Sequence, residues 1–581
     1  MTSPRPRPAA AAGRDIVSAA LLLGALAWLT VSFSHIAGAW GLDTLRHAPG
    51  TLGLLAVAMI ALAFVPAVAS AVRSACEGLG RVLASRPPVA GGLLALIAFF
   101  ALLALRDPLH FIGDSGLRLA AITVRGDTGT VFPQAAPLDR LINLHFARAL
   151  RDALPISDTD ALQWVGSLLG ALWAATALAF LRALDLKGAA LAAATLVLLF
   201  SGVLQHFAGY DKFGPLTLGL ALAATGAVRS LAGGRPWLLM LGVGIAEISH
   251  RTGLLVLPMA GVVLAIALRR GGDARRDGLF ALAAIALATT FAVPQALTSV
   301  QSIDRARHLS GWAPRQLWDA LQVLWLLCPL WIAGIAAAVA PVRTVRKDET
   351  SGSPRTIPLV VFVALAPWLA LLIGVRGSQG ASRDWDMHVP GASLVALATA
   401  GALGQVWQRT SAHPRGNARS LALAVVLALC TGLASWNLHV SPTAQMARID
   451  DQLRIRSAWS DEAWARAQDF MGIQALRAGQ AERAISHWEA AIEGAPNPRY
   501  FYQVALADMR LGRLDRARAG FTRTQSRDPA NADAWVGRAM IASRLDSVAA
   551  AMAYVDTALS RQPRKWDALE LRRKLLQYQG Q

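Results

Sequence analysis

Long apolar runs fill the first three quarters of the chain, and a charged, amphipathic pattern replaces them after about residue 437. A helix crossing a bilayer needs about 20 mostly apolar residues. About thirteen runs approach that length, at 16–33, 51–72, 89–105, 161–181, 188–204, 213–228, 236–249, 253–268, 278–297, 318–341, 357–375, 389–407 and 419–437. The pattern predicts an all-α protein. A polytopic membrane bundle occupies 1–440, with a large outer loop at about 106–160. A linker follows over 441–460 and a repeat domain over 461–581. Residues 1–14 are polar and basic and no cleavage motif follows, so the first run reads as a retained helix rather than a signal peptide.

The tail repeats itself every 33–34 residues. Gly479, Ala484, Ala491 and Pro496 recur as Gly512, Ala517, Thr524 and Pro529, and Ala551, Ala558 and Pro563 continue the series. A small residue where two helices cross, then a proline closing the second helix, resembles tetratricopeptide (TPR) repeats. Three repeats and a final capping helix near 565–578 are expected. Trp464, Tyr500, Trp535 and Trp566 begin successive helices, with packing between repeats as their ordinary role and a contact in the concave groove as the alternative. Repeats of this kind bury their faces only against neighbours and serve to bind partners, so a protein partner is expected.

Composition narrows the picture. The 581 residues are 54% hydrophobic and 16% charged, with mean hydropathy +0.42. That excludes disorder and an ordinary soluble domain. Three cysteines, far apart, exclude a disulfide scaffold. The net charge of +19 falls largely on predicted inner loops: Arg73, Arg81 and Arg86; Arg182 and Lys187; Arg229 and Arg235; Arg269, Arg270, Arg275 and Arg276; Arg409, Arg415 and Arg419. This is the positive-inside pattern of a multi-pass inner-membrane protein with a cytoplasmic N-terminus, and an odd span count puts the repeat domain outside the cytoplasm. No basic-aromatic module appears, and nucleic acid is not an expected partner.

Four polar segments interrupt the apolar text, all on the predicted outer side. In the first, Phe111–Arg118, Asp114 stands near the membrane boundary, where partial desolvation suits a general base. The same Asp-Ser-Gly-Leu-Arg-Leu-Ala-Ala text also fits a helix N-cap. Beyond it, 138–154 carries Leu141, Ile142, Leu144, Phe146, Ala149 and Leu150 at helical spacing, as in a helix lying on a membrane surface. The second segment, Gln205–Gly214, offers Tyr210 to a sugar or head group and Lys212 to a phosphate; an interfacial aromatic turn is the alternative. The third, Glu247–Gly253, holds His250 and Arg251 between two short apolar runs, where ionisable groups are costly unless they line a polar cavity. Arg251 could grip a phosphate bidentately, and His250 could donate a hydrogen bond. The fourth, 376–390, holds Arg383, Asp384, Asp386 and His388. Arg383 offers a further phosphate contact, and the two carboxylates with His388 could hold a divalent cation; no cofactor is otherwise indicated.

The long first outer loop with an acid, a surface helix within it, and the multi-span body resemble the GT-C superfamily of integral-membrane glycosyltransferases. Asp114-Ser115-Gly116, followed by Phe132-Pro133 and Pro137-Leu138, is similar to the opening of its protein O-mannosyltransferase-like branch. His250-Arg251-Thr252-Gly253 and the run to Pro258 are similar to a segment of branch members that carry TPR tails. This chain has a single acid where paired acids are common in that branch, and two additional spans precede the loop. The resemblance implies a polyprenyl-phosphate sugar donor, an extracytoplasmic protein or glycan acceptor, and inversion, with Asp114 as base. Arg118, Tyr210, Lys212, His250, Arg251, Arg383, Asp384 and Asp386 then become substrate-binding candidates, and the loop at 302–315 a cover. Three other classes compete. One is a membrane-anchored TPR scaffold for envelope assembly; the second is a polymerase or ligase using a diphosphate-linked donor, whose main outer loop usually falls late in the chain; the third is a transporter, which would show uptake without a covalent product.

Overall fold

The computed structural model describes residues 9–579 apart from 35, 37, 114–115, 117, 120–121, 123–135, 210–212, 302–313, 341–355, 376, 378, 411–413 and 546. Among the described residues the chain is all-helical. It divides into two compact units, Met1–Arg448 and Ile449–Gln581.

In the first unit the apolar runs all fall on helices, but not all of these helices can cross a bilayer. Among the described residues seven are long and apolar enough: Asp15–Phe33, Pro87–Ala104, Asp158–Ala183, Arg251–Arg269, Gly272–Pro294, Trp385–Arg409 and Asn417–Val440. Two more runs are broken. Helices α1 (Ala9–Phe33), α2 (Gly50–Leu62) and α3 (Pro66–Ala84) open the chain, and α2 meets α3 at 95°. Proline at the first position of α3 sets that corner. The second corner, at 89°, lies between Pro314–Leu327 and Trp331–Val339. Counting each bent pair as one crossing gives up to nine, against the thirteen read from the sequence. Three shorter apolar helices, Gly188–Leu199, Trp237–Ser249 and Val363–Gly374, account for further runs. A 13-residue helix rises only about 20 Å, short of the roughly 30 Å hydrocarbon layer.

The remaining helices of this unit are α4 (Pro87–Ala104), α5 (Asp158–Ala183), α6 (Gly188–Leu199), α7 (Gly214–Leu231), α8 (Trp237–Ser249), α9 (Leu257–Arg269), α10 (Gly272–Gln301), α11 (Pro314–Leu327), α12 (Trp331–Val339), α13 (Thr356–Gly374), α14 (Val389–Arg409) and α15 (Pro414–Val440). Helix α14 is the hub, packing against α6, α7, α12 and α13. Burial follows: the α14 and α15 spans are 78% buried, the α4 span 17%. Helices α7 and α8 touch backbone to backbone. A Cβ on Gly226 would lie 2.1 Å from Leu239 N, and one on Gly242 would lie 2.2 Å from Ala223 N. Small residues allow this approach where apolar burial alone gives little drive between helices. Several of the basic residues expected on inner loops close helix ends. Arg270 donates to the carbonyls of Ser230 and Leu231 at 2.6 and 2.5 Å, at the C-terminus of α7.

The surface helix expected at 138–154 is present in three pieces: α-helical Pro137–Arg140, π-helical Leu141–Phe146 and α-helical Ala147–Ala153. Asp139, Asn143, Leu144 and Ala147 are buried, whereas Leu141 and Phe146 are exposed. Its buried face is thus partly polar, and apolar side chains point away from the body.

The segment 441–460, expected as a linker, is helical over Pro442–Leu453 (α16). A buried stripe of Ala444, Ile449 and Leu453 explains it; the stripe is too short to register as an apolar run. Within the first unit, Gln445 Nε2 donates to Asp107 Oδ1 at 3.0 Å, and Arg448 bonds the carbonyl of Trp40.

The second unit is a solenoid of helical hairpins. Helices α17 (Asp461–Arg477) and α18 (Ala481–Gly494) pair, as do α19 (Pro498–Arg510) with α20 (Leu514–Arg527), and α21 (Ala532–Leu545) with α22 (Val548–Arg561). Each hairpin packs on the next, and α23 (Trp566–Gln579) closes the described array. The repeated small residues Ala484, Ala491, Ala517, Thr524, Ala551 and Ala558 are fully buried at the crossings. Gly479 and Gly512 follow α17 and α19 with φ of 76° and 75°, the left-handed geometry that ends a helix at little cost only for glycine. Ser460 and Asn497 cap the N-termini of α17 and α19 through the amides of Ala463 and Arg499. Of the four expected packing aromatics, Tyr500 is buried and Trp464 and Trp535 are half-buried, but Trp566 is 78% exposed. Asp508 is buried in α19, with Arg516 and Arg513 at 3.4 and 3.8 Å. Burial pushes its carboxyl up from the ordinary range, and the two arginines pull it down less.

Candidate functional site

A cavity of about 60 Å³ lies between the N-terminal turn of α11 and the 377–388 segment, lined by Arg315, Gln316, Asp319, Asp384 and His388 among others. By volume it admits a few waters. Proline starts α11 at Pro314, and Arg315 and Asp319 share one face at i, i+4 spacing. Asp319 is fixed from both sides: Trp40 Nε1 donates to Oδ1 at 3.1 Å, and Arg315 Nε lies 3.4 Å from Oδ2. The loop after α1 reaches α11 through Gln322, which donates to Gly38 O and accepts from Gly41 N, both at 2.8 Å. A Cβ on Gly41 would lie 2.4 Å from Gln322 O, so this approach needs glycine. Across the cavity, Asp384 Oδ2 accepts from Gln379 N at 2.7 Å. Gly377 makes room for it, since a Cβ there would lie 2.5 Å from Oδ2.

The four polar segments of the sequence meet in this region of the first unit. Gly113 N donates to Arg383 O at 3.0 Å, and Arg383 Nε donates to Phe111 O at 2.9 Å, joining the first segment to the fourth. The Arg383 guanidinium also lies over the Phe111 ring, 4.9 Å from its centroid. The His206 ring is 6.5 Å from that of Trp385, joining the second to the fourth. The Phe213 ring is 5.1 Å from that of His250, joining the second to the third. Ala136 N reaches Ser249 O at 3.4 Å, which brings the far end of the first loop to the third segment.

Individual candidates fare differently. Asp114, Tyr210 and Lys212 lie outside the described residues, as does most of the expected cover, 302–313. Arg118 is buried in a bidentate pair with Asp139, at 3.1 and 2.8 Å, and Asn143 Nδ2 adds a 2.6 Å bond to the same carboxylate. Its charge is therefore matched within the protein, and it holds the loop start to the 137–153 stretch. His250 is buried, and its Nδ1 accepts the Thr252 amide at 3.2 Å. Arg251 is half-buried. Asp386 is buried, whereas Asp384 and His388 line the cavity. Among the described residues no group of three His, Cys, Asp or Glu side chains could hold a metal ion. Residues 385–388 form a 3-10 turn, where alternate residues point about 120° apart or more around the axis, so Asp386 and His388 diverge.

Sequence reading missed Asp319, Trp40 and Gln322. Asp319 carried a signal, an acid just inside an apolar run. Trp40 carried none, being 279 residues away from its partner. Glu247 was read only as part of its segment. It is buried, accepts a 2.7 Å bond from Thr289 Oγ1, and ties α8 to α10.

No protein-family model matches the chain, and no curated protein matches it. Solved structures resemble part of it. The first TPR of Spaghetti (RPAP3) bound to an HSP90 peptide shares 19% identity, covering 21% of this chain and 97% of that one, with a TM-score of 0.20. The TPR domain of Arabidopsis OM64 shares 22% identity over 20% and 96%, with a TM-score of 0.19. YrrB, a TPR protein with an unusual peptide-binding site, shares 18% identity over 30% and 91%, with a TM-score of 0.21. The repeat architecture itself rests on the helix pairing and the 33–34-residue spacing.

Proposed function

We propose that the chain is an integral-membrane glycosyltransferase that moves a sugar from a polyprenyl-phosphate donor to an extracytoplasmic protein or glycan. The N-terminus is cytoplasmic and the repeat domain extracytoplasmic, where it recruits the acceptor. The observation that carries this reading is the meeting of Phe111 and Gly113 with Arg383. It ties the root of the acid-bearing loop to the fourth polar segment beside a cavity at the edge of an apolar helical body.

In the proposed reaction the Asp114 carboxylate takes the proton of the acceptor hydroxyl. The acceptor oxygen attacks the anomeric carbon on the face opposite the phosphate. The bond from that carbon to the phosphate oxygen breaks, the lipid phosphate leaves with the electron pair, and the configuration inverts. Cations of the converging segments, Arg251, Lys212 and Arg383, stabilise the charge that develops on the leaving phosphate.

A second reading, a TPR scaffold held by a membrane anchor, is favoured by the hydrophobic cores that the repeat unit builds from its own helices. One experiment separates the two. Purified protein in detergent and lipid is offered radiolabelled polyprenyl-phosphate and polyprenyl-diphosphate sugars with membrane extract as acceptor, beside Asp114→Asn. Transfer from the monophosphate donor that is lost in the variant, at unchanged melting temperature, supports the transferase. Full transfer by the variant removes the base assignment. No transfer from any donor, with a cellular phenotype that needs the repeats but not Asp114, supports the scaffold.

A further inference from the structure

We propose that the shared end of α7, α8, α9 and α10 is a binding site for an anionic phospholipid. Its phosphate sits among arginines, and its acyl chains run along the exposed faces of α8 and α10. The site is independent of the transferase reading, which gives these segments no role.

Two connections meet at this end, 229–237 and 269–280. They hold six arginines, Arg229, Arg235, Arg269, Arg270, Arg275 and Arg276, against two acids, Asp273 and Asp277, an excess of four positive charges. The fold gathers them. Arg270 bonds the carbonyls of Ser230 and Leu231 and so fastens the second connection to the first. Arg235 Nε lies 3.4 Å from Asp277 Oδ2, and Arg276 Nε lies 3.9 Å from Oδ1 of the same buried carboxylate. One acid is thus shared by two cations. Arg229, Arg269 and Arg275 are exposed and make no ion pair among the described residues.

Helix polarity explains only part of this pattern. Arg229 and Arg269 stand in the last turns of α7 and α9, where the helix dipole favours a cation. Arg275 stands in the first turn of α10 with Arg276 beside it, and there the dipole favours an anion instead. Cations gathered against the dipole repel one another, and an arriving phosphate relieves that repulsion. The positive-inside pattern accounts for cations on this side of the body but not for their convergence.

A lipid fits the surroundings better than a soluble anion. The Trp237 and Phe280 rings meet edge to face at 5.1 Å, two residues beyond Arg235 and three beyond Asp277, and both are exposed. Leu241 on α8 and Leu287 and Phe291 on α10 continue the exposed apolar surface at helical spacing. The α10 span is only 28% buried. A tryptophan beside cations at a helix end is the pattern of a membrane interface, and basic pockets between spans suit anionic head groups. A soluble anion would use the arginines and leave the aromatic pair idle.

The test uses the full chain purified in a neutral detergent. Binding of labelled phosphatidylglycerol, cardiolipin and phosphatidylcholine is measured at about 0.15 M salt. Both anionic lipids are expected to bind at least about tenfold tighter than phosphatidylcholine. Arg269→Gln combined with Arg275→Gln should weaken phosphatidylglycerol binding about twentyfold, or about fivefold for each arginine, at unchanged melting temperature. Arg510→Gln combined with Arg544→Gln makes the same charge change at exposed positions of the repeat unit and should leave lipid binding unchanged. If the first double variant does not fold, Arg275→Gln alone carries the same reading at about fivefold. Trp237→Ala should weaken lipid binding severalfold and leave glycerol phosphate binding unchanged. Equal binding of phosphatidylglycerol and phosphatidylcholine overturns the site. So does an equal loss in the two double variants, which would make net charge the cause. Full displacement of the lipid by an equal concentration of glycerol phosphate also overturns it, leaving a simple anion site. None of these readouts involves sugar transfer, so their failure and that of the transferase reading are distinguishable.

Discussion

Arg383 and Phe111, 272 residues apart in sequence, meet twice: the guanidinium Nε donates to the Phe111 carbonyl at 2.9 Å, and the same group lies over the Phe111 ring. Lysine can supply one such contact but not the planar pair. On the proposed transferase reading, Arg383→Lys is therefore expected to lower sugar transfer at least about tenfold, the range of a misplaced site. Adding Phe111→Ala should lower it little further, because the two act as one unit. Transfer rates of the two single variants and the double variant, at matched melting temperatures, check this. Simple additivity would dissolve the coupling.

Breaking the buried pair Arg118–Asp139 should be costly. Either Arg118→Ala or Asp139→Ala leaves an unmatched buried charge, at about 3–5 kcal/mol. Replacing both with apolar residues of similar size should cost much less. A double-mutant cycle read by thermal unfolding in detergent measures the difference.

Helices α7 and α8 give a steric prediction. Gly226→Ala places a methyl 2.1 Å from Leu239 N and should destroy the monodisperse peak in size-exclusion chromatography. Gly244→Ala, on the same pair of helices but with open space around it, should be neutral or slightly stabilising.

In the repeat unit, Asp508 predicts a pH dependence. Its carboxyl is raised in the folded state by burial. A raised carboxyl favours folding below its unfolded pKa, about 3.9. That advantage is lost as pH rises through the higher folded value. Asp508→Asn is thus expected to raise the melting temperature at pH 7, since Arg513 and Arg516 keep Glu482 and Glu489 as partners. The gain should disappear near pH 4. A variant less stable than wild type at pH 7 would show that the arginine pairs outweigh burial.

Two tryptophans of the same unit should behave oppositely. Trp488 is fully buried, and Trp488→Ala should cost about 3–5 kcal/mol. Trp566 is 78% exposed, and Trp566→Ala should stay within about 0.5 kcal/mol. Thermal unfolding of the full chain, followed by far-UV circular dichroism, compares them.

What was legible in the sequence follows the distance between interacting residues. The repeat spacing located Ala484, Ala517 and Ala551, because each crossing is built from one local hairpin. Every apolar run marked a helix, but run length did not reveal whether it crosses a bilayer. Residues 188–204 and 236–249 are short helices, one packed around α14 and the other held by glycines facing α7. The polar segments were visible as interruptions. Their partners were less so: Asp319 meets Trp40, and Asp43 meets Arg448 at 3.7 Å, across hundreds of residues with no local pattern. Asp386 and His388 stand two residues apart in a tight turn, where close spacing separates side chains around the axis rather than gathering them.

Helix α23 offers one face, with Trp566, Leu569 and Leu576, that no described neighbour covers. In an array whose stability comes from each unit leaning on the next, that makes the two ends unequal. The described solenoid should therefore open like a zipper from its α23 side. Amide protons of α23 should exchange first, then those of α22, and the opening should travel inward toward the tryptophan-filled hairpin of α17 and α18.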